Sequence, residues 1–213
     1  MGWGSAVGAW STGAGGDPNW GSTTFGGPSS AVGYSVAVDG SGNVYTTGEF
    51  IATVDFGAGD VTSAGGSDVF VTKLNSSGAH QWTTTFGGTS GAGDVGYSVA
   101  VDGSGNVHVT GHFNGTVNFG AGNVTSAGAS DVFVTKLNSS GAHQWTTTLG
   151  GTGGDAGWGV AVDASGNVYT TGYFTGTVNF GAGNVTAGGA TDGFVTKLNS
   201  SGCLLYTSDA ADE

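Results

Sequence analysis

The chain has 213 residues, among them 46 Gly, 2 Pro, 3 Lys and 15 Asp or Glu, for a formal net charge of −12. Gly does not fall at every third position and Pro is scarce, which excludes collagen; 37% hydrophobic and 11% aromatic residues exclude ordinary disorder. The acidic balance repels phosphate backbones and anionic lipid, and the single Cys203 excludes a disulfide framework or a Cys-based metal centre. No apolar run reaches the roughly 18 residues of a bilayer span, and Met1-Gly2-Trp3-Gly4 does not open a signal peptide.

Residues 1–19 match nothing else in the chain. Thr23-Thr24-Phe25-Gly26-Gly27 repeats as Thr84-Thr85-Phe86-Gly87-Gly88, so 20–32 reads as the last strand of a preceding unit and its connector. Gly33-Tyr34-Ser35-Val36-Ala37-Val38-Asp39 then returns at Gly96–Asp102 and, as Gly-Trp-Gly-Val-Ala-Val-Asp, at Gly157–Asp163, with offsets of 63 and 61 residues. Asp68, Asp131 and Asp192 keep those offsets, as do Lys73, Lys136 and Lys197. Repeats therefore run over 33–95, 96–156 and 157–202. The first two differ at 9 of 57 aligned positions, the mark of recent duplication.

Within a copy the hydrophobic period is two. Tyr34, Val36 and Val38 alternate with small residues, Asp39-Gly40-Ser41-Gly42-Asn43 turns the chain, and Val44–Phe50 resumes the pattern, which predicts a hairpin. Thr53–Phe56, a Gly-Ala-Gly turn and Val61–Ser63 follow as a short hairpin or long loop. Asp68–Leu74 is a third main strand, Asn75-Ser76-Ser77-Gly78 a turn and Gln81–Phe86 a fourth. No stretch has a helical pattern. Four strands in about 60 residues suit one propeller blade.

The third copy departs after Gly202, where Cys203-Leu204-Leu205-Tyr206-Thr207-Ser208 replaces Ala-His-Gln-Trp-Thr-Thr. This ending resembles the translation of a sequencing-library adapter, and 203–213 is read as an added tail that packs against nothing. The natural part then carries 12 acids and 3 Lys, a net of 3 − 12 = −9.

The blocks Gly-Tyr-Ser-Val-Ala-Val-Asp-x-Ser-Gly-Asn-Val-Tyr-Thr-Thr-Gly-x-Phe, Ser-Asp-Val-Phe-Val-Thr-Lys-Leu-Asn-Ser-Ser-Gly-x-x-x-Trp and Phe-Gly-Gly resemble the bacterial SBBP β-propeller repeats, over about residues 20–202. The resemblance implies an all-β fold of propeller blades and a secreted or surface-attached bacterial protein without a defined catalytic activity. A ring needs at least about four blades, so three copies are expected to form an open arc of four-stranded antiparallel blades, a fragment of a larger propeller. Tyr34, Val36, Phe70, Leu74, Trp82 and their counterparts are expected between blades.

Candidate sites are few. Asp39 and Asn43, with Asp102 and Asn106 and with Asp163 and Asn167, place oxygen side chains as a Ca²⁺ loop would. Position 12 of such a loop is Phe here (Phe50, Phe113 or Phe174) where an EF-hand needs a bidentate acid, so a turn role is favoured. Gly65-Gly66-Ser67-Asp68 resembles half of a Ca²⁺ β-roll repeat but lacks its nine-residue period. Asp55 and Asp60 become Asn118 and Asn123, then Asn179 and Asn184. His80 and His143 lie a blade apart, and His108 and His112 occur in one copy only and are expected on exposed strand positions. Trp82 and Trp145 are expected to pack between blades, with a sugar-stacking platform as the alternative. No nucleophile elbow or recurring acid–base set is present.

These readings lead to an expected non-enzymatic extracellular or cell-surface scaffold, contacting protein or glycan surfaces through repeated weak contacts. The alternatives are a glycan-active propeller enzyme with its catalytic blades missing, or a Ca²⁺-dependent surface protein. No cofactor, nucleic acid or membrane insertion is expected, and the open chain is expected to self-associate.

Overall fold

The two-residue period of each copy becomes one antiparallel sheet. The structure, a computed structural model, describes residues 21–181 and 183–205, and every regular element among them is a strand. The first sheet runs β1 (Ala31–Val38), β2 (Val44–Asp55), β3 (Asp60–Leu74), β4 (His80–Phe86), in that order. The second contains β5 (Val95–Val101), β6 (Val107–Phe113), β9 (Asp131–Leu137) and β10 (His143–Leu149). The third contains β11 (Ala156–Val162), β12 (Val168–Phe174), β15 (Asp192–Leu198) and β16 (Leu204–Leu205). These are propeller blades, and they do not close into a ring.

Thr53–Ser63 forms a hairpin arm, as one of the two sequence alternatives has it. In the first blade it extends β2 and β3 directly, with Thr53 opposite Thr62 and Asp55 opposite Asp60. In the later blades it separates into two-stranded sheets, β7 (Thr116–Asn118) with β8 (Asn123–Thr125), and β13 (Thr177–Asn179) with β14 (Asn184–Thr186). The backbone at the junction is the same in all three copies, although the residue is not. Ala52 has φ +55° where the other copies have Gly115 and Gly176 at +65° and +66°. It is the one non-glycine in the left-handed region among the described residues.

Cores form between blades, because each central strand is apolar on both faces. Tyr45, Val69, Val71 and Phe86 of the first blade meet Val99, Val107, Val109, Phe113 and Phe133 of the second. Val132, Val134 and Leu149 then meet Val168, Phe174, Phe194 and Leu198. A smaller cluster joins Phe50, Phe56 and Phe70 to Phe25. The inner strands are also tied across blades: Val99 N donates to Ser35 Oγ and Val160 N to Ser98 Oγ, both at 3.2 Å.

Two expectations need correction. Val36 does not pack between blades: it is 65% exposed, because no preceding sheet lies against β1 among the described residues, whereas its counterpart Val99, facing a neighbour, is only 6% exposed. Tyr34 meets the next blade only through the Tyr97 ring and stays 46% exposed. The tail is not wholly unpacked either. Leu204 and Leu205 pair with Leu198 and Lys197 as the start of a fourth strand, and Leu204 joins the last core. Residues 206–213 of that tail lie outside the described residues.

Candidate functional site

The Asp-Gly-Ser-Gly-Asn loops are self-satisfied turns. Asp39 Oδ1 accepts from Ser41 N and Asn43 N at 2.9 Å each; Oδ2 accepts from Asn43 Nδ2 at 2.7 Å and Tyr45 Oη at 3.0 Å. Burial pushes this carboxyl up, yet the donors from Asn43, Tyr45 and Ser41 outweigh it and hold it at about 2. Asp102 with Asn106, and Asp163 with Asn167, repeat the pattern. A cation here would have to displace four donors from one carboxylate. Asp55 Oδ1 likewise accepts from Gly57 N and Gly59 N, and Asn118 Oδ1 does the same for Gly120 N and Gly122 N. Only an acceptor oxygen is required there, so the charge is dispensable and Asp exchanges with Asn.

The histidines are separate from one another in role. His80 and His143 each share a hydrogen bond with the Thr three residues on, Thr83 and Thr146, at 2.9 Å. His108 is fully buried, which corrects the expected exposed position. It occupies the place of Tyr45 and reaches Asp102 Oδ2 only at 3.5 Å, leaving its Nδ1 without a partner. Burial pushes its pKa down. Among the described residues no three His, Cys, Asp or Glu side chains gather as a metal cluster.

Trp82 and Trp145 join blades. Each indole Nε1 donates to a carbonyl of the following blade, Ser139 O or Ser200 O, at 3.1 Å. Each ring also covers a glycine there: a Cβ built on Gly141 would lie 2.8 Å from the Trp82 ring, and one on Gly202 2.7 Å from Trp145. These rings are not open platforms.

Two buried carboxylates escaped sequence reasoning. Asp94 accepts from Gly88 N (3.2 Å) and Asn114 N (2.9 Å), and Asp155 from Gly151 N and Thr175 N (2.8 and 2.9 Å). They anchor the connector between one blade and the next. Burial pushes the Asp94 carboxyl up to about 6, with Asp68 adding to the effect. Their signal, an Asp just before each Val-Gly or Ala-Gly strand start, is absent from the first copy, where Ala31 stands.

The open polar and aromatic surface lies on the inner strands instead. A register shift between Gly33 and Ser35, repeated at Gly96/Ser98 and Gly157/Gly159, turns Tyr34, Tyr97 and Trp158 out of the ladder. Tyr34 and Tyr97 rings lie 5.5 Å apart, Tyr97 lies 5.5 Å from His112, and Trp158 lies 5.3 Å from Tyr173. Tyr34 Oη donates to Glu49 Oε1 at 2.7 Å, and that bond, with burial and the Glu49 charge, pushes the phenol up to about 12. Burial, Glu49 and Tyr173 together push the Tyr97 phenol up. Glu49 also lines an open cleft of about 350 Å³ with Ser30, Val32, Ile51 and Ser67. Trp158 is 61% exposed. Apolar ring faces beside a carboxylate and phenols can stack on the C–H faces of a sugar while bonding its hydroxyls. The sequence signal was present: the residue after the repeated Gly is aromatic in every copy.

The family model for the SBBP β-propeller repeat matches residues 21–49 and 81–117. The second match begins in β4 and runs through the first hairpin of the second blade, and the first match ends within the corresponding hairpin of the first blade. No curated protein matches the chain.

Proposed function

We propose that this chain, which carries the SBBP β-propeller repeat, is a non-enzymatic scaffold that binds glycan surfaces outside the cell. The repeat scaffold is the part that the fold and the family match carry. The single observation supporting glycan contact is the row Tyr34–Tyr97–His112 and Trp158–Tyr173 with Glu49 beside it. Near-identical blades present an aromatic ring at one repeated position, Tyr34, Tyr97 and Trp158, which suits repeated weak contacts that add through multivalency. The same near-identity is poor material for a catalytic centre, which needs different groups converging on one point.

The test is an immobilised oligosaccharide array probed with the full chain and with the double variant Tyr34→Ala/Trp158→Ala. Binding to a subset of sugars, weakened about tenfold or more in the variant, supports the reading. Absence of binding to every sugar, or binding indifferent to the double substitution, overturns it.

A further inference from the structure

We infer that the cleft beside Glu49 takes the ammonium group of an amino sugar, so that the sugar stacked on the neighbouring rings is a cationic one. This rests on the glycan reading and adds the charge that the bound sugar carries. Three features of the junction between the first and second blades support it: a longer connector, a carboxylate without a basic neighbour, and two ring faces beside that carboxylate.

The connector makes the cleft. In the first junction Gly66 N donates to Ser90 O at 3.0 Å and Asp94 N to Ser67 O at 2.8 Å. In the second junction Ala129 N donates to Gly153 O at 3.0 Å and Asp155 N to Ser130 O at 2.9 Å, so both connectors are fixed at the same two points. Between those points lie Gly91-Ala92-Gly93 in the first connector and Gly154 alone in the second. Gly91 and Gly93 form one wall of the open cleft of about 350 Å³, with Val32, Glu49, Ile51 and Ser67 on the side of the blade. That volume falls at the small end of the range for ligand sites, about 300–1,000 Å³.

The same junction carries the acid. Glu49 stands where the later blades have His112 and Tyr173. Its Oε1 accepts from Tyr34 Oη at 2.7 Å, and Oε2 faces the connector, 3.9 Å from where a Cβ of Gly93 would stand. The chain has three Lys and no Arg. Lys73 pairs opposite Tyr45, Lys136 opposite His108 and Lys197 opposite Tyr169, at the far end of each second strand. Tyr45 precedes Glu49 by four residues of β2, or about 13 Å. Burial pushes the His112 imidazole down, so at neutral pH it brings no positive charge to the cleft. Glu49 is therefore a carboxylate without a counter-charge among the described residues.

The rings complete the site. Tyr34 and Tyr97 lie 5.5 Å apart beside this carboxylate. Aromatic faces stack on the C–H face of a sugar and also attract an ammonium, while a carboxylate accepts charge-assisted hydrogen bonds from its N–H groups. An amino sugar offers the apolar face and the ammonium on one ring. A uronic acid or a sulfated sugar would instead bring negative charge to Glu49, in a chain whose net charge is −12.

The experiment is calorimetric titration of the full chain at pH 6.5 with a glucosamine hexamer and with the fully N-acetylated hexamer, which keeps the rings and removes the charge. Two variants accompany the parent. Glu49→Gln keeps an oxygen for the Tyr34 hydroxyl, and Asp60→Asn removes the same charge at the tip of the hairpin arm, where the later copies have Asn. The parent is expected to bind the glucosamine hexamer about tenfold or more tightly than the acetylated one. Glu49→Gln is expected to lose that preference and leave the acetylated hexamer bound as before, whereas Asp60→Asn keeps it. Equal affinity of the parent for both hexamers overturns the inference and leaves the glycan reading standing. An equal loss in both variants overturns it as attraction to bulk charge. Binding of neither hexamer overturns it too, and the wider sugar array then decides the glycan reading on its own.

Discussion

Tyr45 donates its hydroxyl to Asp39 Oδ2 at 3.0 Å, so the first residue pair of a strand closes the hairpin turn that precedes it. Tyr169 does the same to Asp163 at 3.1 Å, and both carboxylates are then saturated by donors from their own loop. The turn is an autonomous unit that the repeat copies whole.

Asp39→Ala should therefore cost about 0.5–2 kcal/mol, as for other side-chain bonds that satisfy turn and cap amides. The loss should be the same with and without added calcium. Thermal melts of parent and variant in calcium and in chelator check this; a parent stabilised by calcium and a variant indifferent to it would contradict the turn role.

His108→Tyr should stabilise the chain by about 1 kcal/mol, because Tyr makes the hydroxyl–Asp bond in the other two copies and His leaves a buried nitrogen unpaired. The pH dependence follows. The folded His108 pKa is lowered by burial, so below the ordinary value of 6.5 the unfolded chain takes up a proton that the folded one refuses. Stability from this site is full above pH 6.5 and is lost as pH falls. Denaturant melts at pH 7.5 and 5.5 should show the gain from His108→Tyr growing at the lower pH; a constant or shrinking gain would refute it.

Asp94 should act with the opposite sign. Its carboxyl is raised to about 6 from 3.8, so the folded state holds the proton more tightly and this site stabilises as pH falls from above 6 toward 4. Asp94→Asn keeps only one acceptor for Gly88 N and Asn114 N and should cost about 1–3 kcal/mol at pH 7.5. The loss should not vanish on acidification, which melts at pH 7.5 and 5 would reveal.

Ala52→Gly should be neutral to stabilising by up to about 1 kcal/mol, since the left-handed backbone costs Ala about that much and Gly fills the position in both other copies. Gly141→Ala should be far worse, at about 1–3 kcal/mol, because its φ of +82° is left-handed and its Cβ would enter the Trp82 ring. Equal effects in chemical denaturation would separate Trp82 from the blade junction.

Most of the blade was legible because its signals are local. Alternation gave β1 and β2, and the Asn75 turn, where Asn75 Oδ1 accepts from Ser77 N and Ala79 N, gave the β3–β4 hairpin. The junctions were less legible. Val36 and Val99 are the same residue in the same motif, yet one is open and the other covered, because burial depends on a neighbour far away in sequence. His108 looked like an exposed replacement because period-two patterning does not reveal that both faces of β6 are covered. The aromatic after the repeated Gly was visible in every copy, but its outward direction was not, because the register shift after Gly33 is announced by no propensity.

The most direct measurement is binding to an immobilised oligosaccharide array by the full chain and by Tyr34→Ala/Trp158→Ala, because the exposed rings beside Glu49 carry the glycan reading. The account predicts binding to a subset of sugars, weakened about tenfold or more by the double substitution. Binding to none of the sugars, or binding that the substitutions leave unchanged, would contradict it.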